Sequence, residues 1–249
     1  MQGKKYLELV DAYRASRGFQ IYTLKQTIQV SFSTFRVNFV ELERLLQKHS
    51  RFDPRFHGVL NRDKLQVDFI EIIRLLHNYC ASVMSLVEHT RRVAREILPA
   101  DALKTYQNEI DLRFKQSPLH CFLQDLRNYF LHHSNPPVAH VIRYASTESA
   151  GAGIELPNKS LLEWKNWNKA SRDFILQQNN GILLEVIVTK YTANVDEFMR
   201  WLDDHIETVC KPELDELWQK HDEWADFCKS EGIPTTHAEF QEAAEKGIL

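Results

Sequence analysis

The stretch 63–98, DKLQVDFIEIIRLLHNYCASVMSLVEHTRRVAREIL, decides the fold class. Apolar or small residues recur at Phe69, Ile72, Leu76, Tyr79, Val83, Leu86, Thr90, Val93 and Ile97. The steps alternate between three and four without a miss, which is an apolar stripe along one helix of about ten turns. A helix of that length with one such face predicts a packing spine for other helices.

Working outward, Pro99-Ala100-Asp101 stops the spine, with Asp101 as the predicted N-cap of a helix from Ala102 to about Lys115. Ser117-Pro118 opens the next, serine as cap and proline in the first turn, running to His133 and stopped by Ser134-Asn135-Pro136-Pro137. On the N-terminal side, a short helix to Arg17 is expected to end near Gly18. A longer one follows from Thr23 to His49, with Phe32, Phe35, Phe39, Leu42 and Leu46 at helical steps. Proline and glycine break the chain between Ser50 and Gly58. Beyond Pro137 the character changes. Val138–Tyr144 and Ile154-Glu155-Leu156, around a small-residue turn, predict one β-hairpin. Helices resume near Ser160-Leu161 and Lys169, break at Asn179-Asn180-Gly181, run from Ile182 to Cys210, and end as two acidic helices, Pro212–Ser230 and Thr236–Glu245.

The expected architecture is therefore mainly α: one helical bundle around a long central helix, with a possible hairpin insertion. Its parts are N-terminal helices over 1–58, a core over 59–137, the insertion over 138–158 and C-terminal helices over 159–249, acidic after 196. Composition agrees. The 8 glycines in 249 residues argue against a loop-rich β architecture and against a glycine-cradled nucleotide site. No continuous apolar run suggests a membrane span, and Met1-Gln-Gly-Lys-Lys-Tyr does not read as a leader. Cys80, Cys121, Cys210 and Cys228 lie too far apart for a disulfide framework or a zinc knuckle. A cytoplasmic protein without membrane contact is expected.

The formal charge of −3 hides an asymmetry: Asp196–Leu249 carries a net −10 and the preceding chain +7. A basic body suits a polyanion, and an acidic segment can mask it or be a solvated face. No P-loop, dinucleotide fingerprint or zincin motif occurs, so no cofactor or metal is expected. Asp203-Asp204-x-x-Glu207 has carboxylates enough to attract a cation, but reads better as a solvated face.

One segment carries chemistry: Leu123-Gln124-Asp125-Leu126-Arg127-Asn128-Tyr129-Phe130-Leu131-His132-His133. Leu119, Leu123, Leu126 and Phe130 form its buried stripe, and Gln124, Asn128 and His132 a polar line on the other side. His133 falls on the apolar stripe, as a core histidine would. Arg127 and His132 are about 140° apart on a straight helix, so they converge only with a long reach, a distorted last turn or a second subunit. Arginine paired with Asp125 and histidine capping the last carbonyls would be a purely structural use of the same residues.

Arg127-Asn128-x-x-x-His132 resembles the Arg-x4-6-His signature of the HEPN superfamily (higher eukaryotes and prokaryotes nucleotide-binding domains). The polar residue after the arginine is typical of it, and Leu76–Arg92 resembles the earlier long helix on which the motif helix packs; the likeness covers Val59 to Pro137. It implies a metal-independent endoribonuclease of toxin or defence type, or a non-catalytic relative, working as a homodimer with two motifs on one cleft. RNA, and an antitoxin or regulatory protein, would be the partners. Under it Arg127 clamps phosphate, His132 moves a proton and Asn128 supports them. The 2′-hydroxyl is the nucleophile, and the products are a 2′,3′-cyclic phosphate and a 5′-hydroxyl. Substrate contacts are expected from His133, Asn78, Arg91, Arg92 and Trp164. Two departures stand beside the likeness: the hairpin after Pro137 and the acidic C-terminal helices. The alternatives are a helical interaction or dimerisation module, and a nucleotide-binding regulator.

Overall fold

The structure is a computed structural model that describes residues 2–50, 62–146 and 149–235. The expected break over 51–58, the tip of the hairpin at 147–148 and the expected helix Thr236–Glu245 lie outside the described residues. Among the described residues there are nine α-helices and one small sheet, so the chain is mainly α as the periodicity predicts.

Helix α1 (Gln2–Arg14) is followed by α2 (Arg17–Lys48). The chain breaks at Ser16, whose hydroxyl caps α2 by accepting from the amide of Phe19, and not at Gly18, which lies inside α2. The glycine is there for contact. A Cβ on it would meet the Glu213 carbonyl oxygen at 2.1 Å and Leu217 Cβ at 2.7 Å, on the C-terminal helix that crosses α2.

The spine is α3 (Arg62–Ile97), and eight of the nine predicted stripe positions, all but Phe69, are buried. Its 18-residue window of mean hydropathy 1.2 makes it long and apolar enough to cross a membrane by length and composition. In this fold that apolar side is covered by protein. Phe35 and Phe39 of α2 pack on Tyr79, whose ring is fully buried.

Helix α4 (Ala100–Ile110) begins at Pro99, so Asp101 sits in its first turn and is not the cap. It runs into a π-type turn, Asp111–Lys115. Then comes α5 (Pro118–His132), capped by the Ser117 hydroxyl on the amide of His120. Of the predicted stripe Leu119, Leu123 and Leu126 are buried and Phe130 half-buried, and the buried face adds Phe122 and Tyr129 because α5 is covered on two sides: by α3 and by α7, described next.

Strands β1 (Ala139–Ser146) and β2 (Ser149–Pro157) form the expected antiparallel hairpin, registered from Ala139↔Glu155 to Ser146↔Ser149. A one-turn helix, α6 (Asn158–Leu161), and α7 (Lys169–Gln177) follow. A third strand, β3 (Gly181–Leu183), pairs with β2 where the sequence suggested the start of a helix. Three residues are too few to show a period of two, and only the free edge of β2 makes them a strand. Helices α8 (Leu184–Val209) and α9 (Lys211–Ser230) complete the described chain. One apolar cluster runs through these elements, from Ile21 to Leu214.

Helix α8 closes over the spine. The Tyr79 hydroxyl donates to the Val188 carbonyl at 3.3 Å and accepts from Thr192 at 3.0 Å. Part of the acidic charge of α8 is taken up by α2: Arg36 pairs with Asp196 at 2.8 Å, and the buried Lys25 ammonium with Asp203 at 3.0 Å and with Glu207. Burial pulls the Lys25 pKa down, and the two carboxylates outweigh it, so the ammonium stays charged. Asp203 and Glu207 are therefore partners of a buried lysine, a role beyond the solvated face expected of them.

Replacing Gly18 by alanine is expected to cost about 1–3 kcal/mol through the clash with α9, measured as a lower urea midpoint at an unchanged slope. A midpoint equal to the wild type would contradict the close approach of α2 and α9.

Candidate functional site

An open cavity of about 710 Å3 lies between α3, the π-type turn, α5 and α8. From α3 it receives Glu88, His89 and Arg91; from the π-type turn Asp111, Phe114 and Lys115; from α5 His120, Cys121, Gln124, Arg127 and Asn128. A volume of that size is in the range of small-ligand sites. The π-type turn is part of the reason for its shape. Its geometry differs from the α-helix before it, and it carries Phe114 and Lys115 to the cavity wall. The turn is pinned to α8 by Asn194, which donates to the Arg113 carbonyl at 3.2 Å, and by Arg113 itself, bonded to Glu109 at 2.7 Å and Glu197 at 3.4 Å.

Charge in the lining is unevenly satisfied. Arg91 pairs with Glu88 at 2.6 Å, and Lys115 with Asp111 at 3.1 Å. Asp111 is also held by Gln107 at 2.9 Å, and the Lys115 and Gln107 bonds together keep its carboxyl below the usual range. Both acids are thus engaged. Arg127 is half-buried, and no hydrogen bond or ion pair among the described residues engages it. The structural alternative, a pair with Asp125, does not form. Asp125 is buried and accepts the backbone amide of Asn168 at 2.8 Å, bracing the start of α7. The side chains of Asn128 and Gln124 are likewise without hydrogen-bond partners among the described residues.

The two histidines of the cavity are each held at Nδ1 by a hydroxyl. His120 Nδ1 lies 2.8 Å from the Tyr191 hydroxyl. Burial drives the Tyr191 pKa upward, so the phenol keeps its proton. Donating that proton to Nδ1 satisfies a hydroxyl that is only 2% exposed, and leaves hydrogen on Nε2 of His120. Burial first, and Arg91 second, depress the His120 pKa, so the ring is neutral near pH 7. On the other wall, Nδ1 of His89 is hydrogen-bonded to the Ser31 hydroxyl, which also lies 2.9 Å from the Thr27 carbonyl.

Of the residues expected from sequence, Arg127, Asn128 and Arg91 meet in this cavity. His132 does not. It is the exposed last residue of α5, beyond the lining, as the 140° separation on an undistorted helix implies. Asn78 is half-buried on α3 and Arg92 exposed, both outside the lining. His133 is not the core histidine that its place on the stripe suggests: the helix has ended, its backbone turns to φ −129°, and the ring lies exposed, stacked on Trp164 at 6.3 Å. Trp164 is corrected too. It is 8% exposed, packed against Trp167 at 4.8 Å and Tyr129 at 5.3 Å, and offers no open face to a base. His89, His120 and Lys115 went unnoticed in the sequence, because helical spacing places residues around one helix and says nothing of which helices converge.

Comparison with family models, curated proteins and solved structures gives no match.

A depressed His120 pKa means that the unfolded chain binds a proton the folded one refuses as pH falls below the unperturbed value of 6.5. Stability is full above that value and declines as pH drops beneath it. His120→Asn is therefore expected to lose less stability than wild type between pH 7 and pH 5, read from urea midpoints at both. Parallel losses in the two proteins would contradict a neutral His120.

Proposed function

We propose that this chain is a HEPN-like cytosolic module that binds a phosphate-bearing ligand, a nucleotide or an RNA strand, at Arg127. The observation that carries it is the half-buried, unpaired guanidinium on the wall of the 710 Å3 cavity, with both neighbouring acids already paired. A guanidinium partly removed from water without a counter-charge is unfavourable, and an incoming phosphate meets its forked donors bidentately. The Asn128 and Gln124 amides beside it add neutral donors, and Nε2–H of His120 another.

Metal-independent RNA cleavage is the enzymatic form of the same proposal. It is favoured by the line Gln124–Asn128–His132, one turn apart at each step, which leads from the cavity to the end of α5. There His132 stands as the last residue of the helix. A homodimer that sets two such lines on one cleft would bring His132 of one subunit toward Arg127 of the other. An inhibitor or antitoxin protein would cover that cleft.

Nucleoside monophosphates and a short RNA are to be titrated against the protein and its variants. Arg127→Ala is expected to weaken binding about tenfold or more, the value of one charge-assisted bond lost. Arg127→Lys should retain part of the affinity. A change under about twofold for Arg127→Ala would overturn the proposal. With RNA in EDTA, loss of cleavage on His132→Ala would support the enzymatic form. A protein that neither binds nor cleaves leaves the helical interaction module, for which Trp218, 46% exposed on α9, is the first surface to test.

A further inference from the structure

We infer that the outer face of α9 around Trp218 is a docking site for a basic segment of a partner protein, with an arginine or lysine of that segment seated on the indole. None of the residues lining the cavity comes from α1 or α9. The inference therefore stands independently of the phosphate reading of Arg127.

Its foundation is an open corner of aromatic rings. Of the 5 tryptophans, Trp218 alone is exposed. Tyr22 of α2 and His221, one turn along α9, each meet its ring edge-on at 5.9 Å and 79°. His221 is itself packed against Tyr13 of α1 at 6.1 Å and Trp224 at 5.7 Å, so three helices hold the corner in shape. A lone exposed apolar side chain is ordinary on a protein surface. An exposed indole already braced by rings on two sides is different, because a partner docking on it loses little side-chain entropy there.

The charges around the corner select the occupant. Asp215 and Asp222 lie one turn before and one turn after Trp218, on its side of α9, and both are exposed. Lys211 takes up Asp215 at 3.1 Å, and Lys220 takes up Glu216 at 2.6 Å. Asp222 meets only the His221 ring among the described residues, at 3.5 Å. An apolar or acidic segment laid over Trp218 would strip water from this carboxylate without compensation. A guanidinium or ammonium is attracted to the negative face of the indole and has the Asp222 carboxylate one turn away. Tryptophan and arginine are also residues in which interface energy concentrates.

The test measures, by fluorescence anisotropy, binding of the full chain to a labelled arginine-rich peptide. The same peptide with citrulline in place of arginine is the uncharged control. The wild type should bind the arginine peptide, more weakly as salt rises, and not the citrulline one. Trp218→Ala should weaken binding about fivefold or more, within the range that a cation–π contact supplies. Trp218→Phe keeps a ring and should lose less. Asp222→Asn should cost about threefold. Glu223→Gln removes the same charge about 140° round the helix from Trp218 and should cost less than about twofold. Urea midpoints check the folding of each variant, and the phenylalanine and asparagine variants carry the test where alanine lowers the midpoint. Equal binding of the two peptides, a wild type that binds neither, or equal losses in Asp222→Asn and Glu223→Gln with none in Trp218→Ala overturns the inference. So does sedimentation showing a wild-type dimer that Trp218→Ala dissociates, which gives this face to a second copy of the chain.

Discussion

The long helix α3 sets the terms for everything packed around it. It is apolar along its whole length, so the rest of the chain must keep water away from that stripe. Helix α2 covers one side with Phe35 and Phe39, and α8 another, where Tyr79 is tied to Val188 and Thr192. The phenol in that contact is a constraint as well as a bond. Its hydroxyl is sealed from water, and burial holds its pKa far above the ordinary value. If α8 moved, a buried hydroxyl would be left without a partner, at the cost of a lost hydrogen bond and its desolvation. The geometry of α8 over α3 is therefore sharply set.

The cavity follows from that arrangement. Helices α5 and α8 both lean on α3, and between them the π-type turn occupies the approach without filling it. What makes the space chemically uneven is the assignment of acids. Glu88, Asp111 and Asp125 each have a partner, two of them cations of the lining and one the backbone amide of Asn168, the residue that caps α7. Arg127 is the guanidinium left over. It is left without a counter-charge because Asp125, two residues away, is turned into the protein.

The spine, the hairpin and the serine–proline start of α5 were legible in the sequence because each is written locally, in a period or a cap. The start of α2 was misplaced because Gly18 looks like a stop. Its small size answers instead to α9, almost two hundred residues along the chain, which no local pattern encodes. The strand β3 escaped for the same reason. In the site, Arg127 and Asn128 were legible as a motif and lie together in the cavity. His132 was grouped with Arg127 by the signature the segment resembles, and the straight helix keeps it outside. His89 and His120 had no signal at all: the pairing of α3 with α5 brings them to one space, and Ser31 and Tyr191, on two further helices, hold their rings.

The four thiols are distributed in a way that makes the cavity addressable. Cys80, Cys210 and Cys228 are buried, and burial pushes the Cys80 thiol up to about 12. Cys121 alone is partly open, and it lies on the cavity wall beside Gln124. Its own pKa is raised, by burial and then by Asp125, so it reacts slowly at neutral pH. An alkylating dye applied in mild alkali to the folded chain accordingly has one destination. It reports occupancy of that space directly, without any engineered handle.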